Sequence, residues 1–263
     1  MADSTYNSHK PKTVLITGPT GDFGKAFCHH FAKMGCHLIL PGRDIDKLQA
    51  LQDSLGETHK NRHHIGFCDI SDRESIELFF QDIPEKFQQI DLLINNAGLA
   101  LGLDPAQDCN LDDWETMIDV NNKGLVIVTR LTLEIMKMRK SGHIINIGST
   151  AGNYPYPGGN VYCASKAFVK QFSLALRADL GGTNIRVTNI EPGMVETQFS
   201  RVRFKGDKKR AESVYANTTP LTPEDVAQSV VWAATLPTHF NVNRLEIMPT
   251  AQSFGPLSVE RHS

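Results

Sequence analysis

The chain has 263 residues, is 40% hydrophobic and 21% charged, and carries a formal net charge of −2. That length holds one α/β domain or two small ones around a large core, and the balance of residue types is ordinary for a soluble globular chain. The near-neutral charge speaks against a general nucleic-acid or membrane-surface binder, and no apolar run has transmembrane length or reads as an export signal.

Residues 1–12 are polar and predict a loose tail. Thr13 to Thr17 is a continuous apolar strand, followed by the glycine-rich turn Gly18-Pro19-Thr20-Gly21-Asp22-Phe23-Gly24 and an amphipathic helix through Phe27, Phe31 and Met34 that Gly35 stops. Strand, glycine turn and helix together form the context of a dinucleotide fingerprint, in which backbone N–H groups face a pyrophosphate. His37 to Leu40 reads as the second strand. At its end, where a dinucleotide fold reads the adenosine ribose, stands Arg43. A cation there suits the 2′-phosphate of NADP rather than the free hydroxyl of NAD. Asp44 is a like charge for that phosphate, and a merely solvated Arg43 is the alternative.

Asp46 to Leu55 predicts a helix, and His64 to Cys68 a strand ending at Asp69. Ser71 is the expected cap of the next helix, with Glu74 completing a capping box. Asp91 to Ile94 is a fourth strand, and the small residues of Asn95-Asn96-Ala97-Gly98 allow a ligand to approach its end. A helical region from Leu111 to Met138 carries Asn121-Asn122-Lys123-Gly124 in its middle. Those residues are poor helix formers, a local conflict that points to a kink or a functional site.

The stretch from Gly142 to Thr150 opens with a short apolar run that suits a buried strand, with Ser149 at its end. A Gly/Pro-rich loop follows it, and then a helix from Tyr162 to Leu180. On that helix Tyr162 and Lys166 are four residues apart, so they lie on one face. A phenol titrates near pH ~10 in water, and a neighbouring cation lowers that value. Lys166 is therefore expected to make Tyr162 a usable acid and base, with Ser149 bonding the same substrate oxygen. Ile185 to Ile190 is the sixth strand, broken by Pro192-Gly193. Residues 194–220 form a charged insertion, residues 223–235 a helix capped by Thr222, and residues 243–248 the last strand.

This βα alternation, without repeat or linker, predicts one α/β domain over residues 13–263, doubly wound in the Rossmann manner, with a mostly parallel seven-stranded sheet and helices on both faces. Five scattered cysteines without a Cys-x-x-Cys read as reduced thiols of a cytoplasmic protein. The pairs His29-His30 and His63-His64 lack ligand partners at useful spacing, so no metal site is expected.

Taken in order, Thr17-Gly18…Gly24, Asp69, Asn95-Asn96-Ala97-Gly98, Asn121, Ser149…Tyr162-x-x-x-Lys166 and Pro192-Gly193…Thr197 resemble the single-domain short-chain dehydrogenase/reductases. The resemblance implies that Gly18, Thr20, Gly21, Phe23 and Gly24 cradle the pyrophosphate. It puts Asp69 and Ile70 by the adenine, and Asn96, Ala97 and Gly98 along the adenosine ribose. Pro192, Val195 and Thr197 would meet the carboxamide, and Tyr162 and Lys166 the nicotinamide end. Tyr162 would be the acid/base, Ser149 would orient the substrate, and Lys166 would bind the nicotinamide ribose. Asn121 would hold a relay water. Asp22 departs from the family pattern, since it stands where the middle glycine belongs, and its carboxylate is expected to repel a pyrophosphate.

The stretches 98–102, 113–125, 144–152 and 202–207 look further like the NADP-dependent 3-hydroxy acid dehydrogenases. That resemblance implies NADP as cofactor in preference to NAD. Its substrates would be serine, allo-threonine and 3-hydroxypropionate-type acids, and its assembly a homotetramer. A small hydroxy acid needs a cation for its carboxylate, and Arg203 in the insertion is the chosen candidate, ahead of Arg201. Two other readings stay open: a reductase acting on a carbonyl without a carboxylate, and a non-catalytic NADP-binding sensor.

Overall fold

The fold is built outward from Thr13–Ile16 (β1), whose apolar side chains are all buried. Val14 and Ile16 point into one apolar layer and Leu15 into the other. A strand covered on both faces needs apolar residues at successive positions rather than alternate ones. In the computed structural model, which describes residues 9–56, 62–215 and 217–253, seven strands form one sheet in the order β3-β2-β1-β4-β5-β6-β7. The others are β2 (His37–Gly42), β3 (His63–Phe67), β4 (Leu92–Asn95), β5 (Gly142–Ile147), β6 (Ile185–Pro192) and β7 (Arg244–Ile247). Every pairing is parallel, so the expectation of a mostly parallel sheet is tightened to an all-parallel one.

Helices α1 (Asp22–Lys33), α2 (Ile45–Ser54) and α9 (Pro223–Thr235) cover one face, through Phe27, Phe31, Leu48 and Val230. Helices α3 (Arg73–Gln81), α4 (Leu111–Ile118), α5 (Leu125–Arg139) and α6 (Asn160–Asp179) precede the insertion. Of these, α3, α5 and α6 cover the other face, through Phe79, Val128, Met136 and Leu176. The connections turn opposite ways from β1, to β2 on one side and β4 on the other, which opens a crevice at the strands' carboxyl ends. Two short helices, α7 (Phe199–Arg203) and α8 (Lys208–Ser213), lie in the insertion.

Several local expectations change. The cap of α3 is Asp72, whose carboxylate accepts the N–H groups of Glu74 and Ser75. Ser71 is not available for that task, because its hydroxyl donates to Asp69 Oδ1 at 2.6 Å. The polar tail does not run loose as far as residue 12. His9 N–H reaches Thr235 O at 2.9 Å, and Lys12 N–H reaches the Asp91 carboxylate at 2.8 Å. Residues 1–8 and 254–263 lie outside the described residues. Thr222 caps α9 as expected, in a reciprocal box with Asp225.

The conflict at residues 121–124 resolves as a π-helical turn, Asp119–Gly124, between α4 and α5. Such turns insert one extra residue and turn side chains out of the regular ladder, often at functional sites. Gly124 is required there, since a Cβ would run into the carbonyl of Ile70.

Two buried polar features hold the sheet to its helices. Asn95 Nδ2 donates to Thr129 Oγ1 and to Asn146 Oδ1, both at 2.8 Å, and Asn146 Nδ2 donates to Ser173 Oγ at 2.8 Å. Arg186, on β6 and 5% exposed, donates to the carbonyls of Ala233, Ala234 and Phe240 at the end of α9 and beyond. Burial lowers its guanidinium to about 10.

Candidate active site

The crevice opens into a cavity of about 650 Å³, walled by the glycine turn, the ends of β4, β5 and β6, α6 and the insertion. At the turn, Gly18 has φ +62°, and a Cβ there would lie 3.0 Å from Ala97 Cα. A Cβ on Gly24 would run into the carbonyl of Gly18. Only glycine allows this close approach of turn, strand end and helix. Asn96 fastens the turn from the neighbouring strand: its Nδ2 donates to Thr17 O and Gly18 O, both at 3.0 Å. The Thr17 hydroxyl accepts the N–H groups of Asn96 and Ala97 at 3.0 and 2.9 Å. The result is a backbone cradle at the N-terminus of α1, which fits a phosphorylated dinucleotide.

Thr20, Gly21, Phe23, Ala97 and Gly98 border the cavity, as do Pro192, Val195 and Thr197. Gly24, Arg43, Asp69 and Ile70 do not wall it. Arg43 and Asp69 stand together at the ends of β2 and β3, 4.0 Å apart, with Arg43 67% exposed. Asp44 is less of an obstacle than its charge suggested. It caps α2 by accepting Lys47 N–H at 3.0 Å, and it pairs with Lys47 Nζ at 2.8 Å. Asp22 also turns its charge aside, since its Oδ2 accepts the N–H of Gln198 at 2.6 Å.

Ser149, Tyr162 and Lys166 meet where β5 ends against α6. Ser149 Oγ accepts Ala151 N–H at 3.1 Å and lies 3.4 Å from Pro192 O. Lys166 is 7% exposed and donates to Ile147 O at 2.8 Å. Its Nζ is 6.0 Å from the Tyr162 ring centroid. Asn121, from the π-helical turn, has its side chain engaged by protein: Oδ1 accepts Leu99 N–H at 2.8 Å, and Nδ2 donates to Leu99 O and Ser165 Oγ at 2.9 and 3.0 Å.

The electrostatics differ from the expectation. Burial raises the Tyr162 phenol, and Tyr156 pushes it further the same way; the hydrogen bond from Ser149 and the charge of Arg203 oppose them. Burial brings Lys166 down to about 8. Both groups are withdrawn from water, and that outweighs the lowering expected of Lys166 on Tyr162.

Two aromatic residues and an arginine complete the cavity beside Tyr162. The Arg203 guanidinium lies 5.2 Å from the Tyr156 ring centroid and 5.5 Å from that of Tyr162. Its Nε donates to Gly102 O at 3.2 Å, and Gly102 N–H returns a bond to Arg203 O at 3.0 Å. Nη2 is shielded from solvent without a hydrogen-bond partner among the described residues. Phe199 stacks toward Tyr162 at 5.6 Å. Tyr156 and Gln252 were not anticipated. Tyr156 sits in the Pro-flanked loop just before α6, a weak signal. Gln252 lies beyond β7 and accepts Met194 N–H at 2.7 Å, a contact no local pattern announces.

A dinucleotide cradle at a topological switch point, joined to a Ser–Tyr–Lys cluster in one cavity, defines an oxidoreductase site of the Rossmann type. The chain belongs to the short chain dehydrogenase family, whose sequence model matches residues 12–208. It is 54% identical over 249 residues to the NADP-dependent 3-hydroxy acid dehydrogenase YdfG of Salmonella typhi, covering 94% of this chain and 99% of that one. Sulfoacetaldehyde reductase 2 of Chromohalobacter salexigens is 48% identical, with coverage of 94% and 98%. Among solved structures, the closed form of serine dehydrogenase complexed with NADP+ superposes with a TM-score of 0.91 at 53% identity, covering 95% of this chain and all of that one.

Proposed function

We propose that the chain is an NADP-dependent dehydrogenase that interconverts small 3-hydroxy acids, such as serine, allo-threonine and 3-hydroxypropionate, with their 3-oxo acids. The observation that carries this reading is Arg203, whose guanidinium is held against the rings of Tyr156 and Tyr162. A guanidinium so placed suits the carboxylate of a short acid whose hydroxyl reaches Tyr162. Arg43 at the end of β2 suits the 2′-phosphate, and the high identity to relatives named for NADP supports the same choice.

The nicotinamide, when bound, supplies hydride acceptance and donation. The chain does the rest. Tyr162 takes or gives the proton at the substrate oxygen, and Ser149 hydrogen-bonds that oxygen. The charge of Arg203 and the hydrogen bond from Ser149 work against the burial that holds the phenol neutral. Asn121 steadies the loop at Leu99 and Ser165 of α6, and Lys166 would hold the nicotinamide ribose. Phe199 and Tyr156 keep water from the reacting atoms.

Exposed apolar side chains on α4, α5 and α6, among them Leu111, Ile118, Met138 and Phe168, favour self-association on those helices into a homotetramer. The free state of all five cysteines suits a cytoplasmic protein.

The test is NADPH formation at 340 nm with L-serine and L-allo-threonine, with NADP and NAD in parallel and Tyr162→Phe as control. Turnover with NADP that is lost in the variant supports the reading. Turnover of neutral ketones but not of acids would move the assignment to a non-carboxylate carbonyl. Tight NADPH binding without turnover of either class would make the protein a sensor. Sulfoacetaldehyde with NADPH extends the series, because a sulfonate offers Arg203 the same negative edge.

A further inference from the structure

Asp22 is the residue at which this chain departs from the glycine pattern of its family, and neither the cradle nor the chemistry at Tyr162 has a use for it. It is the first residue of α1, directly after Gly21. Its carboxylate borders the cavity on the dinucleotide side, where negative charge is unhelpful. The only hydrogen bond it makes among the described residues leads away from the turn, to the N–H of Gln198 at 2.6 Å. Gln198 immediately precedes α7, and α7 carries Phe199 and Arg203. One bond thus joins residues 176 positions apart, from the nucleotide cradle to the segment that holds the substrate-facing guanidinium.

Other bonds fasten the insertion as well. Lys205 pairs with Asp113 at 2.8 Å, the Arg203 guanidinium and carbonyl bond the Gly102 backbone as described above, and Tyr215 OH reaches Val195 O at 3.0 Å and lies 2.7 Å from Ser200 Oγ on α7, while Met194 is held by Gln252 and Leu221. The first two hold the far end of α7, and the third ties α7 to the segment after α8. Asp22 holds the near end of α7. A glycine at this position has no side chain with which to do so.

We propose that Asp22 is a positioning residue for substrate binding: it latches the near end of α7 to the glycine turn and so keeps Arg203 over Tyr162. The latch raises the fraction of molecules that are competent to bind an anionic substrate. Apparent affinity scales with that fraction, whereas the rate of chemistry in the closed complex does not. The same carboxylate weakens binding of the phosphorylated cofactor through like-charge repulsion. The substrate arm of this proposal rests on the function proposed above; the latch itself does not.

Asp22→Ala and Asp22→Asn separate the two effects. The asparagine keeps an oxygen that can accept Gln198 N–H but removes the charge; the alanine removes both. Two readouts need no turnover: the rate of limited trypsin cleavage in the insertion, which exposes Arg201 and Lys208, and NADPH binding by fluorescence titration. Asp22→Ala is expected to be cut faster in residues 199–210. Its KM for L-serine should rise about tenfold at nearly unchanged kcat, the worth of a hydrogen bond to a charged group. Asp22→Asn should resemble the wild type in cleavage and in KM for serine, and both variants should bind NADPH more tightly. Unchanged cleavage in Asp22→Ala overturns the latch whether or not the protein oxidises hydroxy acids. Faster cleavage with KM for serine unchanged overturns the positioning role. A fall in kcat alone also overturns it, since that would put Asp22 in the chemical step.

Discussion

Replacing Arg203 by methionine isolates what the guanidinium does. Methionine keeps a long apolar stem against Tyr156 and Tyr162 and removes every N–H. The bond to Gly102 O, at 3.2 Å, is lost, while the backbone bond from Gly102 N–H to Arg203 O remains and still ties the two segments together. What has no replacement is the guanidinium charge 5.5 Å from the Tyr162 ring centroid, the group proposed to meet the substrate carboxylate. A hydrogen bond from a charged donor is worth about 1.5–3 kcal/mol. At about 1.36 kcal/mol per decade, kcat/KM for L-serine or 3-hydroxypropionate falls about 10- to 150-fold. A neutral alcohol of the same length, such as 1,3-propanediol, loses little. The assay is the ratio of kcat/KM for acid and neutral substrates in wild type, Arg203→Met and Arg203→Lys. Lysine retains the charge but not the planar fork, so it should fall between the two. Equal losses on the acid and the neutral alcohol would refute the reasoning, because Arg203 would then act by packing alone.

Gly24→Ala should abolish measurable NADP(H) binding by fluorescence titration, since the methyl group meets the Gly18 carbonyl and forces the cradle apart. Asn146→Leu leaves Asn95 and Ser173 without their partner inside the sheet–helix junction, and should cost about 1–3 kcal/mol in urea unfolding. His143 is buried and bonded to Thr188, and burial first, then Arg186, holds it well below 6.5 in the folded chain. Its neutral form is favoured by folding, so its contribution is complete above pH 6.5 and is lost as pH falls below that value. There the unfolded chain takes up a proton that the folded chain refuses, and stability declines by up to about 1.4 kcal/mol per pH unit. Urea titrations at pH 7.5 and 5.5 measure this decline, and His143→Asn should flatten it.

Features set by local spacing were legible in the sequence. Tyr162 and Lys166 share a helical face because four residues make about one turn, and the poor helix formers at Asn121 to Gly124 mark the π-helical turn. The glycine turn was legible as a close approach of backbone between an apolar strand and an amphipathic helix, and Gly18 and Gly24 are packed as such. What escaped depends on contacts between distant segments. The partner of Asp22 is Gln198, Arg203 rests on Tyr156, and Gln252 returns to Met194 from beyond the last strand. The expected influence of Lys166 on Tyr162 meets an opposing one that spacing does not announce. Spacing reveals who neighbours whom but not how far both have been withdrawn from water, and burial is the largest influence on each. The cap of α3 moved by one residue because Asp69 claims the hydroxyl of Ser71, a competition between two adjacent turns.

Arg186 bears on the order in which this protein is made. Every residue proposed for the chemistry precedes residue 204, so a ribosome has produced that set before it reaches Ala233. Yet β6 encloses a cation whose carbonyl acceptors lie 47 to 54 positions further along. Until Ala233 to Phe240 emerge, closing the sheet around that guanidinium would strand a charge away from water. The growing chain therefore has a physical reason to leave the β6 side of the sheet open until residue 240 has emerged. Clipping the chain before Ala233 should leave a protein that carries all its catalytic side chains and cannot bring them together.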